Sequence, residues 1–278
     1  MSRIEKAMEK AAQLRKGDVG QSDTPRLAQR GPTVHVAPSG DEVRNKVSSD
    51  NPLLVTLNDP SSPIAEEYRK LKSILVKMTD GDVLENTLMV TSSIPNEGKS
   101  ITALNLAVSM AQEYDHTVLL IDADLRKPAI HKFLNMERKK GLAECLTGQA
   151  DIGEVIVPTG IGKLSVITAG GTVTNPAELF SSNRMKTLLD EIKFRYRDRY
   201  IIFDTPPLLP FAETRSLAHL VDGVLFVVKE QLASQTNVKD AIEALKGCKL
   251  LGVVYNDTVI AQNVERYYSY RHYAAQEA

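Results

Sequence analysis

The feature that most restricts the fold is a series of short apolar runs, each the length of one strand, separated by stretches of helical character. They are TLMVTS (87–92), TVLLID (117–122), LSVITA (164–169), RYIIFD (199–204), GVLFVVK (223–229) and LLGVVYN (250–256). The runs are nearly unbroken rather than alternating, as expected of strands covered on both faces. Helices are expected near 99–113, 176–194 and 233–246. Asn175-Pro176-Ala177-Glu178 opens the second, with Asn as cap, Pro in the first turn and Glu reaching back in a capping box. Strands alternating with helices imply an α/β fold: a doubly wound, mainly parallel sheet with helices on both faces.

Ahead of the sheet, Ser62-Pro63 signals a helix start. Ile64, Tyr68, Leu71, Leu75 and Met78 follow as one apolar stripe, so a helix is expected to about Met78. Residues 1–16 read as a short amphipathic helix, with Ile4, Met8, Ala11 and Leu14 between charges. Residues 17–60 carry scattered Gly, Ser, Asp, Asn and Pro and read as a linker. The organisation expected is a helix plus linker over 1–60, a domain over 61–262 and a tail over 263–278.

Composition narrows the function. Lys and Arg total 34 against 35 Asp and Glu, a formal net charge of -1, so there is no basic footprint for coating nucleic acid. No apolar run approaches the roughly 20 residues of a membrane span, and the charged N-terminus lacks a signal-peptide core. Cys145 and Cys248 have no metal or disulfide spacing. The expectation is a cytoplasmic protein.

The first run leads into SSIPNEGKS (92–100) and then a helical stretch. Strand, tight loop, Gly-Lys-Ser and helix form the context of a phosphate loop, where backbone N–H groups and a helix N-terminus favour polyphosphate. Asn96, Glu97, Gly98, Lys99, Ser100 and Ile101 are the candidate nucleotide-binding positions. Lys99 suits the β- and γ-phosphates, and Ser100 suits Mg²⁺. Ser93 stands where the usual first Gly would be, and bare Gly-Lys-Ser is common by chance.

Two further strands end in carboxylates: Asp122, followed by Asp124 and Arg126, and Asp204. Ligand sites in such sheets lie at the carboxyl ends of strands. Mg²⁺ needs few protein oxygens, so Ser100 with Asp122 or Asp204 suffices, directly or through water. Asp122 also suits accepting a proton from an incoming hydroxyl, with Asp124 a weaker candidate. Arg126 suits phosphate charge or a local carboxylate. A single strand-terminal Asp is more simply a cap or turn residue, but three behind a phosphate loop point to a nucleoside triphosphate.

Four of the nine tyrosines, Tyr267, Tyr268, Tyr270 and Tyr273, crowd into RYYSYRHYAAQEA at the end of the chain. This is either a solvated tail that delivers hydroxyls or an aromatic patch packed on a core. Glu66, Arg69 and Lys72 recur at spacing three on the 62–78 helix and by composition read as a solvated charged face.

SSIPNEGKS, DADLRKP (122–128) and IIFDTPP (201–207) resemble the Walker A, Walker A′ and Walker B motifs of bacterial tyrosine autokinases of polysaccharide biosynthesis and export. The resemblance covers about 55–278 and includes NPAELFSSNRMKTLL (175–189). IEKAMEKA is similar to the start of stand-alone kinases of exosortase-associated clusters. It implies a P-loop NTPase fold related to the partition and septum-site ATPases, whose signature Lys is replaced here by Ile94. It also implies ATP and Mg²⁺ as cofactors and Lys99, Asp122, Asp124 and Asp204 as catalytic positions. Asn96 stands where family loops have Gly, and Asn tolerates the required backbone angles. Asn256 stands where related ATPases read adenine; the plainer reading is a turn residue.

The resemblance further implies that the tyrosine cluster is the autophosphorylation site. It implies that Glu66, Arg69 and Lys72 form an assembly motif of a ring-like homo-oligomer, Lys72 replacing the usual Arg. A separate transmembrane chain-length regulator would be the activator, holding the kinase peripherally at the inner membrane. Phosphates on the tail are expected to repel it from an acidic site and weaken assembly. A non-kinase P-loop ATPase switch and a nucleotide-binding scaffold are the alternatives; the missing signature Lys and the tyrosine cluster weigh against the first, the intact motifs against the second.

Overall fold

The computed structural model describes residues 49–258 apart from 80, 82–84, 114–115 and 196–198. The helix expected over 1–16, most of the linker, and Tyr267, Tyr268, Tyr270 and Tyr273 lie outside the described residues. All six apolar runs are strands, and a two-residue strand joins them. The strands are β1 (Thr87–Ser92), β2 (Thr117–Asp122), β3 (Val157–Pro158), β4 (Leu164–Ile167), β5 (Arg199–Asp204), β6 (Gly223–Lys229) and β7 (Leu250–Asn256). They form one sheet in the order β3-β4-β2-β5-β1-β6-β7. Every pairing is parallel except β3 with β4.

The unbroken hydrophobicity of the central strands follows from two cores. Leu88, Val90, Leu120, Ile202 and Val227 face one core, which the helix α3 (Lys99–Ala111) fills with Leu104, Leu106 and Met110. Met89, Ile121, Phe203 and Phe226 face the other, against α5 (Leu142–Thr147), α8 (Asn183–Arg195) and α10 (Gln235–Ala244). The remaining helices are α1 (Val55–Asn58), α2 (Pro63–Thr79), α4 (Ile130–Phe133), α6 (Ile152–Val155), α7 (Pro176–Ser181) and α9 (Ala212–Ala218).

Three expectations are corrected. The helix expected over 176–194 is two, because Ser182 is extended and its hydroxyl accepts the Met185 N–H at 3.2 Å, capping α8. Asn175 precedes α7 but makes no side-chain cap bond. Second, part of the expected linker belongs to the domain. Leu54 is buried, and Thr56 on α1 bonds the Asn105 side chain through its N–H at 3.0 Å and its hydroxyl at 2.9 Å. Third, α2 is rotated from its expected stripe. Ala65, Lys72, Leu75 and Thr79 are buried, whereas Ile64 and Met78 are 46% and 44% exposed. The buried Thr79 hydroxyl pairs with the Tyr200 hydroxyl at 2.9 Å, and burial raises the Tyr68 pKa against hydrogen bonds with Thr102 and Asn105. Polar anchors therefore set the helix's rotation.

This orientation is testable by stability. Leu75→Ala should cost about 2–5 kcal/mol, the range for emptying a packed leucine site, while Ile64→Ala and Met78→Ala should stay within about 0.5 kcal/mol, measured by denaturant unfolding.

Candidate active site

The loop after β1 takes its shape from two residues with positive φ, Asn96 at 70° and Gly98 at 91°. Asn96 thus adopts the conformation that a Gly would supply. A side chain at Gly98 would collide with the Asn256 amide. The loop is braced from within by Glu97, which is fully buried. Its carboxylate accepts the Ser93 hydroxyl at 2.7 Å, the Ile94 N–H at 2.8 Å and the Lys229 N–H at 3.3 Å. Asn256 at the end of β7 donates its amide to the Glu97 carbonyl at 2.9 Å. On the other side, Leu208 and Leu209 donate N–H groups to the Ser92 and Ser93 carbonyls at 2.8 and 3.2 Å. Here the Glu97 side chain supports the loop.

Lys99 and Ser100 begin α3, directly after Gly98. Lys99 lies 3.5 Å from the Asp124 carboxylate, with both side chains largely buried. Across the sheet, Asp122 and Asp204 are direct register partners at the carboxyl ends of β2 and β5. Asp122 closes its own loop by accepting N–H groups of Asp124 at 3.3 Å and of Ala129 and Ile130 at 3.1 Å. Asp124 likewise accepts the Lys127 N–H at 2.9 Å. The capping reading therefore accounts for part of what these two residues do. It does not account for Asp204, whose two buried oxygens accept no hydrogen bond among the described residues.

Burial raises the pKa of Asp122 first, and the charges of Asp204 and Asp124 add to it against the Ile130 and Ala129 N–H groups. Burial also raises that of Asp204, opposed by Lys99 and then by the Ser100 hydroxyl, which is near without meeting hydrogen-bond geometry. A buried carboxylate without a donor costs several kcal/mol unless a counter-charge offsets it. The pair beside Ser100 and Lys99 fits Mg²⁺ with a polyphosphate, because Mg²⁺ binds through one or two carboxylates and phosphate oxygens. Among the described residues no group of three or more His, Cys, Asp or Glu forms a complete cage, so the remaining ligands would come from nucleotide and water.

Arg126 takes the local-carboxylate option. Its guanidinium pairs with buried Glu213 and stacks over Phe211 at 4.6 Å. The Glu213 hydrogen bond is the first cause of its raised pKa. Glu213 lies 87 residues away, so no local spacing signalled the pair. The three expected assembly residues separate. Glu66 and Arg69 pair at 2.7 Å, and Arg69 also donates to the Pro60 carbonyl at 2.8 Å. Lys72 instead turns inward to pair with Glu113, which lowers the Glu113 pKa. The charged face is thus not uniformly solvated.

A loop with these bonds at the carboxyl end of a parallel sheet, followed by Lys and Ser on a helix N-terminus, defines the P-loop nucleotide-binding class. The model of an AAA domain family matches residues 96–251. The chain is 35% identical to the tyrosine-protein kinase YwqD of Bacillus subtilis over 80% of this chain and 93% of that protein. It is 32% identical to the succinoglycan biosynthesis transport protein ExoP of Rhizobium meliloti, over 73% of this chain but 26% of that longer protein. The kinase domain of the Escherichia coli tyrosine kinase ETK superposes with a TM-score of 0.68 at 30% identity, covering 75% of this chain and 82% of that domain. The chain belongs to the family of bacterial tyrosine-protein kinases.

The carboxylate pair predicts a pH dependence. Ordinary Asp titrates near 3.9. Where the folded pKa is raised, the native state holds more protons than the unfolded one, so stability falls as pH rises between the two values. The metal-free protein in chelator should melt at a higher temperature near pH 5 than near pH 8. Asp122→Asn with Asp204→Asn should remove most of that difference in a thermal-melt series.

Proposed function

We propose that the chain is an ATP-dependent autokinase that phosphorylates its own C-terminal cluster, Tyr267, Tyr268, Tyr270 and Tyr273, between protomers. The observation that carries this reading is the buried Asp122–Asp204 pair, one member without a donor among the described residues, beside Lys99 at the phosphate loop. Mg²⁺, when bound with ATP, would neutralise phosphate charge and lower the barrier to displacement at the γ-phosphorus. Ser100 and the carboxylates of Asp122 and Asp204 would hold it. Lys99, now turned to Asp124, would stabilise the β- and γ-phosphate oxygens. Backbone N–H groups of 96–101 would cradle the phosphates, with Asn256 holding the loop and in reach of the base.

In the transfer, the tyrosyl oxygen bonds to the γ-phosphorus, the bond to the β-phosphate oxygen breaks, and ADP leaves. Asp122 takes the tyrosyl proton. Asp124 supports the same step by orienting Lys99. Arg126, paired with Glu213, steadies the wall of the site.

The domain, expected over 61–262, extends back to take in α1. Its assembly into a ring rests on Glu66 and Arg69 at the surface of α2, with Lys72 supporting the helix from within. Among the described residues no helix is long and apolar enough to cross a membrane. A separate transmembrane chain-length regulator would activate the kinase and hold it at the inner membrane, in exopolysaccharide production. Successive tail phosphates would repel the tail from the acidic site and loosen the ring.

Incubation of purified chain with MgATP, followed by mass mapping, should place phosphate within 267–273, and Lys99→Met should abolish it. Unmodified wild type, alone and with its membrane activator, would overturn the autokinase reading and favour a non-kinase switch or a scaffold. Glu66→Arg should lower the oligomer mass by light scattering; an unchanged mass would remove the assembly role.

A further inference from the structure

Charge is distributed unevenly around the site. The chain has a formal net charge of -1, yet residues 126–140 hold six Lys and Arg against a single Glu. This segment runs directly on from Asp122 and Asp124. It folds back on itself: α4 is followed by Asn135 at φ 49°, and the Met136 N–H donates to the His131 carbonyl at 2.8 Å. The turn brings Lys132 and Arg138 together at His131, whose pKa is lowered first by burial and then by these two charges.

Arg126 is already committed to Glu213. The other five are exposed and lightly held. Lys127 and Lys132 form no side-chain ion pair among the described residues, and Lys139 meets only Glu137 at 3.4 Å with both largely in solvent. Arg138 donates to the Gly170 carbonyl at 2.6 Å, and Lys140 to the Gln149 carbonyl at 3.5 Å, so neither charge is neutralised. An unneutralised patch of this sign favours an anionic partner.

We propose that Lys127, Lys132, Arg138, Lys139 and Lys140 form a docking surface for the chain's own phosphorylated C-terminal segment, 259–278. The inference rests on the autokinase reading. Chain length permits it. β7 and β2 are parallel, so the last described strand ends at the same end of the sheet as the patch, four strand spacings away, about 19 Å. Tyr267 lies eleven residues beyond Asn256, a reach of up to about 36 Å when extended.

Charge supports it too. Residues 259–278 hold two Arg and two Glu, hence little net charge when unmodified. Each phosphate adds about -1.5 to -2 charges. The carboxylates of the site repel the modified tail while the adjoining rim attracts it, so the tail moves from the site to the patch. A lipid surface is the weaker occupant. The segment's apolar side chains, Ile130, Phe133, Leu134 and Met136, turn into the core and leave no apolar face to insert.

The test uses the dephosphorylated full chain without ATP and a synthetic peptide of residues 259–278, phosphorylated on all four tyrosines or unmodified. Fluorescence anisotropy should show the phosphopeptide binding at least about tenfold more tightly, with affinity falling as salt rises. The triple variant Lys127→Gln, Lys132→Gln, Lys139→Gln should lose about that factor while its melting temperature stays at the wild-type value, and the corresponding Lys→Arg variant should retain binding. Equal binding of the two peptides, or undiminished phosphopeptide binding by the folded triple variant, would overturn the proposal. So would sedimentation with anionic phosphatidylglycerol vesicles that the triple variant loses while neither peptide binds. The peptide carries its phosphates from synthesis, so this result is separate from failure of the autokinase reading, which shows as an unmodified tail in MgATP.

Discussion

The parallel register of β2 with β5 sets Asp122 directly opposite Asp204, and the electrostatics of the site follow from that juxtaposition. Two carboxylates buried side by side repel each other and lose hydration. The fold relieves this only in part. Asp122 receives three backbone N–H groups from its following loop, Lys99 supplies positive charge to Asp204, and Asp204 accepts no hydrogen bond among the described residues. The surplus negative potential is what a divalent cation and its polyphosphate would neutralise. A parallel sheet makes this placement natural, because all its central strands deliver their carboxyl ends to the same edge.

The phosphate loop is held as firmly as the carboxylates. Glu97 joins the start of the loop to the end of β6, Asn256 ties it to β7, and the loop after β5 bonds the carbonyls at the end of β1. A loop restrained on both sides loses little further entropy when it takes up phosphate, the usual advantage of preorganisation. Asn256 thereby has a structural duty, joining the loop to β7. The negative centre and its positive rim, the latter between Lys127 and Lys140, separate opposite charges over one short loop.

Most of the architecture was legible because buried parallel strands leave an unmistakable mark. The six runs match strands to within a residue or two, and among the described residues the two-residue β3 alone leaves no such run. The short helices α1, α4, α5, α6 and α9 span four to seven residues, too few for a helical period to emerge. Hydrophobic spacing alone does not give the rotation of α2. The helix is fixed instead by Lys72 with Glu113 and Thr79 with Tyr200, contacts made to partners distant in sequence.

The sequence by itself determined the parallel α/β architecture, the phosphate loop and the presence of carboxylates at two strand ends, because these are carried by local patterns of a few consecutive residues. Only the tertiary structure decided which charges remain available. Glu97 and Arg126 looked alike as candidate nucleotide contacts, yet one side chain braces the loop and the other is held by Glu213 across 87 residues. Asp122 and Asp204 look alike as strand-terminal acids, yet among the described residues backbone N–H groups cap the first and none caps the second. Hydrogen bonds and ion pairs of this kind depend on which surfaces meet after folding, and residue spacing along the chain contains no measure of that.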